Sequence, residues 1–248
     1  MKKVPLALGL YTLRGELPKD WKATLKAVSD MGYEGVEFYG PMSYDVEELK
    51  NELAANNLKL VGWHIGFGDI NETTVAYNRA LGNNRLVVPA LSKEDTESIE
   101  AWRATAAKFC DAADYLAGEG FCLGYHNHAA EFIPVDGIVP WDVFAQATEG
   151  KVFLQLDNGN AMEGNADTVA YLKKYPKRGN TVHLKPFSRN NGFDTMIGED
   201  DVPWQETFEV LDAQGVTEWY IVEYECEEHY TQLEGAKACI DALRKMGL

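Results

Sequence analysis

The sequence predicts a parallel α/β fold closed into a single (β/α)8 barrel. Three observations predict it. Short apolar runs of strand character alternate with longer runs of helical spacing, eight times along the 248 residues. Continuous alternation of this kind makes the strands parallel, and eight units favour a closed barrel over an open sheet. Roughly 250 residues is also the usual size of one such barrel, and no linker, low-complexity tract or composition break divides the chain. Finally, no GxGxxG follows the first apolar run, which removes the best support for a dinucleotide-binding open sheet. Residues 1–248 are therefore expected to form one domain.

Each element has its own signal. Residues 5–11 read as the first strand. Residues 21–31 read as a helix, with Leu25, Val28 and Met31 at helical spacing and Gly32 suited to its C-terminal end. GVEFY at 35–39 is the second strand. A helix over 44–55 has Asp45 as its cap. Residues 58–64 are the third strand, 73–81 a weaker helix and 85–89 the fourth strand. A long helix is expected over 93–117, started by Ser92 and closed near Gly118. The fifth strand is 121–126, followed by a loop with Pro134, Gly137 and Pro140 and a helix over 141–147. The sixth strand is 152–157, the next helix 167–174 and the seventh strand 181–184. Residues 188–202 form a long polar loop, read as a lid or substrate loop because long loops in compact domains are usually functional. A helix over 204–214, the eighth strand at 219–223 and a helix over 230–246 close the series.

Composition narrows the function. Hydrophobic residues make up 46% of the chain, enough for a large core, and the net charge is −16. That field repels phosphate backbones, so nucleic-acid binding is not expected, and it disfavours polyanionic substrates. No run approaches ~18 apolar residues, so no membrane span is expected. The start, MKKVPLALGLYTL, mimics a signal peptide but lacks a small-residue cleavage site and flows into the first strand. Cys110, Cys122, Cys226 and Cys239 form no CxxC pair and lie in helix-like or strand-like runs. They read as buried free thiols in a reducing compartment, so a cytoplasmic protein is expected. Homo-oligomerisation is compatible with the sequence.

The chemistry lies at the strand ends. Four of the five histidines, His64, His126, His128 and His183, sit at or just past the ends of apolar runs, as do Asp157 and Glu223. The C-terminal face of such a barrel holds its active site. The candidates in chain order are Tyr11, Glu37, His64, His126, His128, Glu131, Asp157, His183, Lys185 and Glu223. Each alone has an ordinary explanation, such as a hydrogen-bonded structural histidine or a rim lysine. Recurrence across five strands weakens those explanations. Asp, His and Glu together suit one divalent cation, Mn²⁺ first, with Mg²⁺, Co²⁺ or Zn²⁺ as alternatives. It would polarise a sugar carbonyl and stabilise an enediolate, while a neighbouring carboxylate or imidazole removes the adjacent proton. Lys185, two residues past His183, points to the same side of its strand and could neutralise developing charge. Tyr11, Phe38, Trp63, Phe67 and Phe187 could stack on a sugar ring or pack the core. No glycine-rich turn follows the last strands, where barrels commonly hold phosphate, so an unphosphorylated sugar or cyclitol is expected as the small-molecule partner.

Together these segments resemble the xylose isomerase-like TIM barrels, the sugar phosphate isomerase/epimerase superfamily, over nearly the whole chain. GYEGVEFYG is similar to the family's second strand, and LVGWHIGF to its third, where a histidine often faces substrate. FLQLDNGNAMEGNAD is similar to its Asp strand, TVHLKPF to its His strand, and GEDDVPWQETFEVLDAQGVTEWYIVEYE to its closing segment with the final Glu. The resemblance implies metal ligands at Asp157, His183 and Glu223. Ketose epimerases of the family carry a Glu at the end of the fifth strand, where this chain has Tyr125 in GYHNHAAEF. Glu131, six residues on, is expected to be the fourth ligand, with His128 or a water as the alternative. The HNHxxEF pattern is similar to the inositol-dehydratase side of the family. Glu223, Lys185, His126 and His128 are expected to handle protons, and Tyr11, Glu37, Trp63 and His64 to bind substrate. The preferred function is a metal-dependent sugar isomerase or epimerase that abstracts the proton next to a metal-bound carbonyl. A keto-sugar or keto-inositol dehydratase on the same site is the alternative. A non-catalytic barrel that binds sugar or a partner is the alternative from another class.

Overall fold

Strands that alternate with helices along a chain find their hydrogen-bond partners in the next strand of the same direction. In the computed structural model, which describes residues 3–248, the eight apolar runs form one parallel sheet. Its strands are β1 (Leu6–Gly9), β2 (Gly35–Tyr39), β3 (Lys59–His64), β4 (Arg85–Val88), β5 (Cys122–His126), β6 (Val152–Gln155), β7 (Thr181–Leu184) and β8 (Trp219–Val222). They lie in the order β6-β5-β4-β3-β2-β1-β8-β7. The two ends of that order meet through a single parallel bridge between Asp157 and His183, with His183 N donating to Leu156 O at 2.9 Å. The barrel therefore closes at two of the predicted metal ligands.

The helices are α1 (Trp21–Met31), α2 (Val46–Ala55), α3 (Glu72–Ala80), α4 (Ile99–Gly118), α5 (Pro140–Ala147), α6 (Asn158–Glu163), α7 (Thr168–Lys174), α8 (Trp204–Gln214) and α9 (Gln232–Lys245). Most begin on a side chain that accepts a backbone N–H, as Asp20, Asp45, Asn71 and Asp167 do. Gly32, at φ 94°, ends α1 in the left-handed conformation.

Several boundaries differ from the sequence reading. β1 stops at Gly9, and Leu10–Leu13 wind into a 3-10 turn that carries Tyr11 outward. α4 begins at Ile99, capped by Ser98, because Ser92 spends its hydroxyl on Asp95 in a separate turn. β6 ends at Gln155, and an unexpected helix, α6, follows with Asp157 as its cap. α9 starts at Gln232, behind a capping box of Thr231 and Glu234. Residues 188–202 hold no helix or strand, as expected.

The outward strand faces pack beneath the helices, around Phe38, Trp63, Tyr125, Phe109, Trp141 and Phe144. A smaller cluster of Ala7, Val61, Trp219 and Ile221 forms separately. Alternation along β1 and β8 puts Ala7 and Ile221 on the same faces as Gly9 and Glu223, so this cluster is an apolar layer inside the barrel. Cys226 and Cys239 are buried, but Cys110 is half-buried and Cys122 exposed, contrary to the expectation of four buried thiols. β5 begins at Cys122, where the strand is still open to solvent. Among the described residues no helix is long and apolar enough to cross a membrane. Met1 and Lys2, which open the signal-like run, lie outside the described residues.

Candidate active site

Strand alternation determines which side chains enter the barrel. His183 and Lys185 share one face at β7, as do Ile221 and Glu223 at β8. In β3 the register against β2 slips by one residue at Val36–Glu37. The slip lets Val61 join the apolar layer while Gly62 and His64 also face inward. A Cβ on Gly62 would lie 2.6 Å from Glu37 Oε1, so a glycine is required beside that carboxylate.

Above the apolar layer lies a buried polar one. Glu37 Oε2 is 2.6 Å from His183 Nε2 and 3.0 Å from His64 Nε2. Gln155 Nε2 donates to Glu37 Oε1 at 2.8 Å and to Thr181 Oγ1 at 2.9 Å. Gln155 Oε1 faces His64 Nε2 at 2.8 Å and His126 Nδ1 at 3.1 Å. Next to this layer, His126, Asp157, His183 and Glu223 each bring one ligand atom within 4.8 Å of the others, and all four are buried. Asp157 Oδ1 accepts from Asn160 N at 2.7 Å, but its buried Oδ2 has no hydrogen-bond partner. His183 Nδ1 makes no aligned hydrogen bond either; it is ion-paired with Glu223 Oε2 at 2.9 Å and lies 3.8 Å from Asp157 Oδ2. A buried donor or acceptor without a partner costs about 1–3 kcal/mol. Such an oxygen on Asp157, converging with His183 Nδ1 in a His/Asp/Glu set, fits a divalent cation.

The electrostatics follow from burial and close charges. Burial opposes ionisation of Glu37, yet the His64 and His183 imidazoles hold its carboxyl well below the usual carboxylate range. Burial likewise opposes a charged His183, but the Glu37 and Glu223 carboxylates hold it up to about 10. Burial pushes Asp157 up to about 7, against the pull of Lys185. Glu223 is held well below its ordinary value by Lys185 and His183 despite its burial. Burial and the neighbouring imidazoles keep His126 neutral. Lys185 Nζ donates to Glu225 Oε1 at 2.6 Å, Asn160 Oδ1 at 3.0 Å and Glu223 Oε1 at 3.2 Å. Those carboxylates and Asp157 outweigh its burial and keep it protonated.

A pocket of about 640 Å³ opens over this floor, lined by Tyr11, Tyr39, His64, His126, His128, Asn160, Glu163, Lys185, Phe193, Glu223 and Glu225 among others. Tyr11 and Tyr39 meet edge to face at 5.2 Å on its rim. The Phe193 ring lies 4.5 Å from Lys185 Nζ. An adjoining groove of about 720 Å³ shares Gly40, Ile65 and Gly66 with the pocket and contains none of the predicted residues.

The structure thus brings Asp157, His183 and Glu223 together with His126, and sets Tyr11, His64, His128 and Lys185 on the pocket wall. It does not bring Glu131 to the cluster. Tyr125 Oη donates to Glu131 Oε1 at 2.6 Å and His128 N donates to Oε2 at 2.9 Å, so both oxygens fasten the loop after β5. His126 stands where Glu131 was expected. Trp63 is also displaced from its expected role: it is fully buried, stacks on Phe38 at 4.8 Å and donates Nε1 to Gly40 O. Glu37 lies behind the histidines and does not reach the pocket. Phe38 packs with Trp63, and Phe67 packs on Phe109. Gln155, Asn160, Glu163, Phe193 and Glu225 were not singled out from sequence. Gln155 and Glu225 had a signal, each standing two residues from a predicted ligand on the same side of the chain.

Comparison with known proteins agrees with the barrel fold. Residues 25–246 match the family described as xylose isomerase-like TIM barrel. The rhizopine catabolism protein MocC of Rhizobium meliloti is 24% identical over 252 residues, covering 86% of this chain and 76% of that protein. The inosose dehydratase of Erwinia tasmaniensis is 29% identical over 148 residues, covering 52% of this chain and about half, 49%, of that protein's length. A solved sugar phosphate isomerase/epimerase from Parabacteroides distasonis superposes with a TM-score of 0.84 over 98% of both chains, at 24% identity. At that identity the likeness is one of fold.

Proposed function

The chain belongs to the xylose isomerase-like TIM barrel family, and from that premise we propose a divalent-metal-dependent enzyme acting on an unphosphorylated sugar or cyclitol ketone. Its first step is removal of the proton next to the carbonyl. The observation that carries this reading is the buried, unpartnered Asp157 Oδ2 facing His183 Nδ1 inside a four-residue donor set under a pocket. His126, Asp157, His183 and Glu223 would hold the cation, Mn²⁺ first. When bound, it would supply Lewis-acid polarisation of the carbonyl.

The chain's own residues supply the rest. Glu223, kept ionised by Lys185 and His183, is a carboxylate at the pocket floor able to accept a proton. Lys185 is positively charged and faces the same pocket, so its ammonium can offset oxyanion charge or return a proton. His128, held neutral by burial, is a second proton-handling group on the wall. Tyr11, Tyr39 and Phe193 offer apolar surface to a ring. Lys185 is the only lysine or arginine on the pocket wall among the described residues, and Glu163, Glu223 and Glu225 surround it. That balance repels a phosphate dianion and suits a neutral polyol.

Returning the proton to a carbon gives an isomerase or epimerase, the reading the family premise favours first. A second reading, loss of a β-hydroxyl as water, is favoured by the position of Glu131. With that carboxylate tied to Tyr125 and His128 N, the second carboxylate base of the ketose-epimerase pattern is missing and an imidazole stands in its region. NMR in D₂O of the Mn²⁺-reconstituted enzyme, with ketoses and keto-inositols and the metal chelated before observation, tests both. Deuterium in recovered or isomeric sugar is the expected result. A new enone signal identifies the dehydratase. No exchange across the panel counts against proton abstraction.

A further inference from the structure

The groove beside the pocket begins where β2 and β3 end. Gly40 N donates to His64 O at 3.0 Å, and Gly40 O accepts from Trp63 Nε1 at 2.9 Å, so the loop after β2 is fixed to the end of β3. Gly40 has a left-handed φ of 71°, and a Cβ built there would meet nothing within 4 Å. Ile65 is only 2% exposed, so its side chain turns down into the core. Gly66 has no side chain to raise. These three residues line both the pocket and the groove. Their boundary is therefore low: none of the three puts a side chain between the two spaces. The Asp69 carboxylate stands beside it on the groove side, with Oδ2 2.8 Å from where a Gly66 Cβ would lie.

The lining selects the occupant. Asn71 and Thr74 are spent on the turn into α3: Asn71 Oδ1 accepts from Thr74 N at 3.1 Å, and Asn71 Nδ2 and Thr74 Oγ1 both donate to Asp69 O. The Asp69 and Glu72 carboxylates and the Thr73 hydroxyl have no such partner among the described residues, and they can take hydroxyl groups from a ligand. Pro41 and Met42 add apolar surface. No aromatic ring lines the groove, so a flat aromatic group would find nothing to stack on. No lysine, arginine or histidine lines it either, so a phosphate-bearing tail would meet only acid. Hydroxyl acceptors beside a small apolar surface suit a neutral sugar ring. Small-molecule sites run from about 300 to 1,000 Å³, so the pocket, at about 640 Å³, already holds one ring. The continuous groove of about 720 Å³ exceeds what a single-ring substrate needs.

We propose that this groove is a second sugar subsite and that the substrate is a two-ring glycoside. Its keto-sugar ring lies over the donor set, and a second, neutral sugar ring crosses the Gly40–Gly66 boundary to meet Asp69, Glu72 and Thr73. The inference rests on the reading above for the place of the ketone ring and adds the size and class of the substrate. The groove residues bind the second ring and do not touch the reacting atoms.

The test is calorimetric titration of the full, Mn²⁺-loaded chain with fructose and with lactulose, turanose and isomaltulose, three disaccharides that each carry a fructose unit. At least one disaccharide should bind about tenfold or more tightly than fructose. Thr73→Trp fills the groove from an exposed position, where folding should survive, and should cut that advantage to about twofold or less. Asp69→Ala, which empties the groove instead, should weaken the disaccharide more than fructose. No disaccharide binding more tightly than fructose would overturn the subsite, and so would a preference that survives both substitutions. Affinity is read without turnover. A disaccharide preference without deuterium exchange would therefore reject proton abstraction and leave the subsite standing.

Discussion

Glu37 never reaches the pocket, yet it aims the residue at the centre of the donor set. One of its oxygens takes His183 Nε2 and His64 Nε2, and the other takes Gln155. A carboxylate on the far nitrogen of a ligating histidine fixes the ring's tautomer and orientation and raises its basicity. Glu37→Gln should therefore lower cation affinity about 10–100-fold, measured by competition with a fluorescent chelator. Unchanged affinity would mean that packing alone orients His183. The same scale explains which site residues were readable. Asp157, His183 and Glu223 lie at or within two residues of strand ends, so their direction follows from alternation. Glu131 lies beyond β5 in a loop that folds back on Tyr125, and no periodicity reports where such a side chain points. Trp63 shows the opposite error: it stands beside His64, and neighbours on a strand face opposite ways.

Among the elements, β3 carries the subtlest device. Its register slip and Gly62 make the space in which the Glu37 carboxylate lies. Gly62→Ala would drive a methyl into Glu37 Oε1 at 2.6 Å. Overpacking of this kind costs about 1–3 kcal/mol, so the denaturation midpoint should fall, and cation affinity should fall with it as Glu37 moves. A variant as stable as wild type would show that the carboxylate can shift freely. Most elements were legible because their caps and apolar spacing are local. The start of α4 was not. Ser92 and Ser98 are equally good caps in sequence, and only the separate Ser92–Asp95 turn, tied to α4 through Thr105, separates them. α6 is hidden in the sequence for a related reason: Asp157 follows the apolar run of β6, yet its side chain caps the helix after it.

At the scale of the molecule, barrel closure and the donor set coincide at Asp157 and His183. A cation held there should stabilise the whole fold, by about 2.7 kcal/mol at roughly 100 times its Kd. The pH dependence has a definite sign. Without cation, burial raises Asp157 from 3.8 to about 7, and the carboxylates, against burial, raise His183 from 6.5 to about 10. Both groups bind protons more tightly folded than unfolded. Their contribution to stability is complete below the unfolded values and is lost as pH rises through the folded ones. A cation competes with those protons, so its stabilising effect should grow over the same window. The rise in Tm on adding Mn²⁺ should be larger near about pH 8 than near about pH 6. A rise independent of pH would count against Asp157 and His183 as ligands.

The order of the elements, the parallel sheet and the strand-end polar residues follow from the sequence, because alternation, capping and apolar spacing are encoded within a few residues. The make-up of the donor set was decided by tertiary structure. His126 replaces Glu131 beside Asp157, His183 and Glu223, and Glu37 and Gln155 form the layer behind them. Those contacts join residues as far apart as Glu37 and His183. Their geometry depends on barrel closure and on a one-residue register slip, which no local pattern specifies.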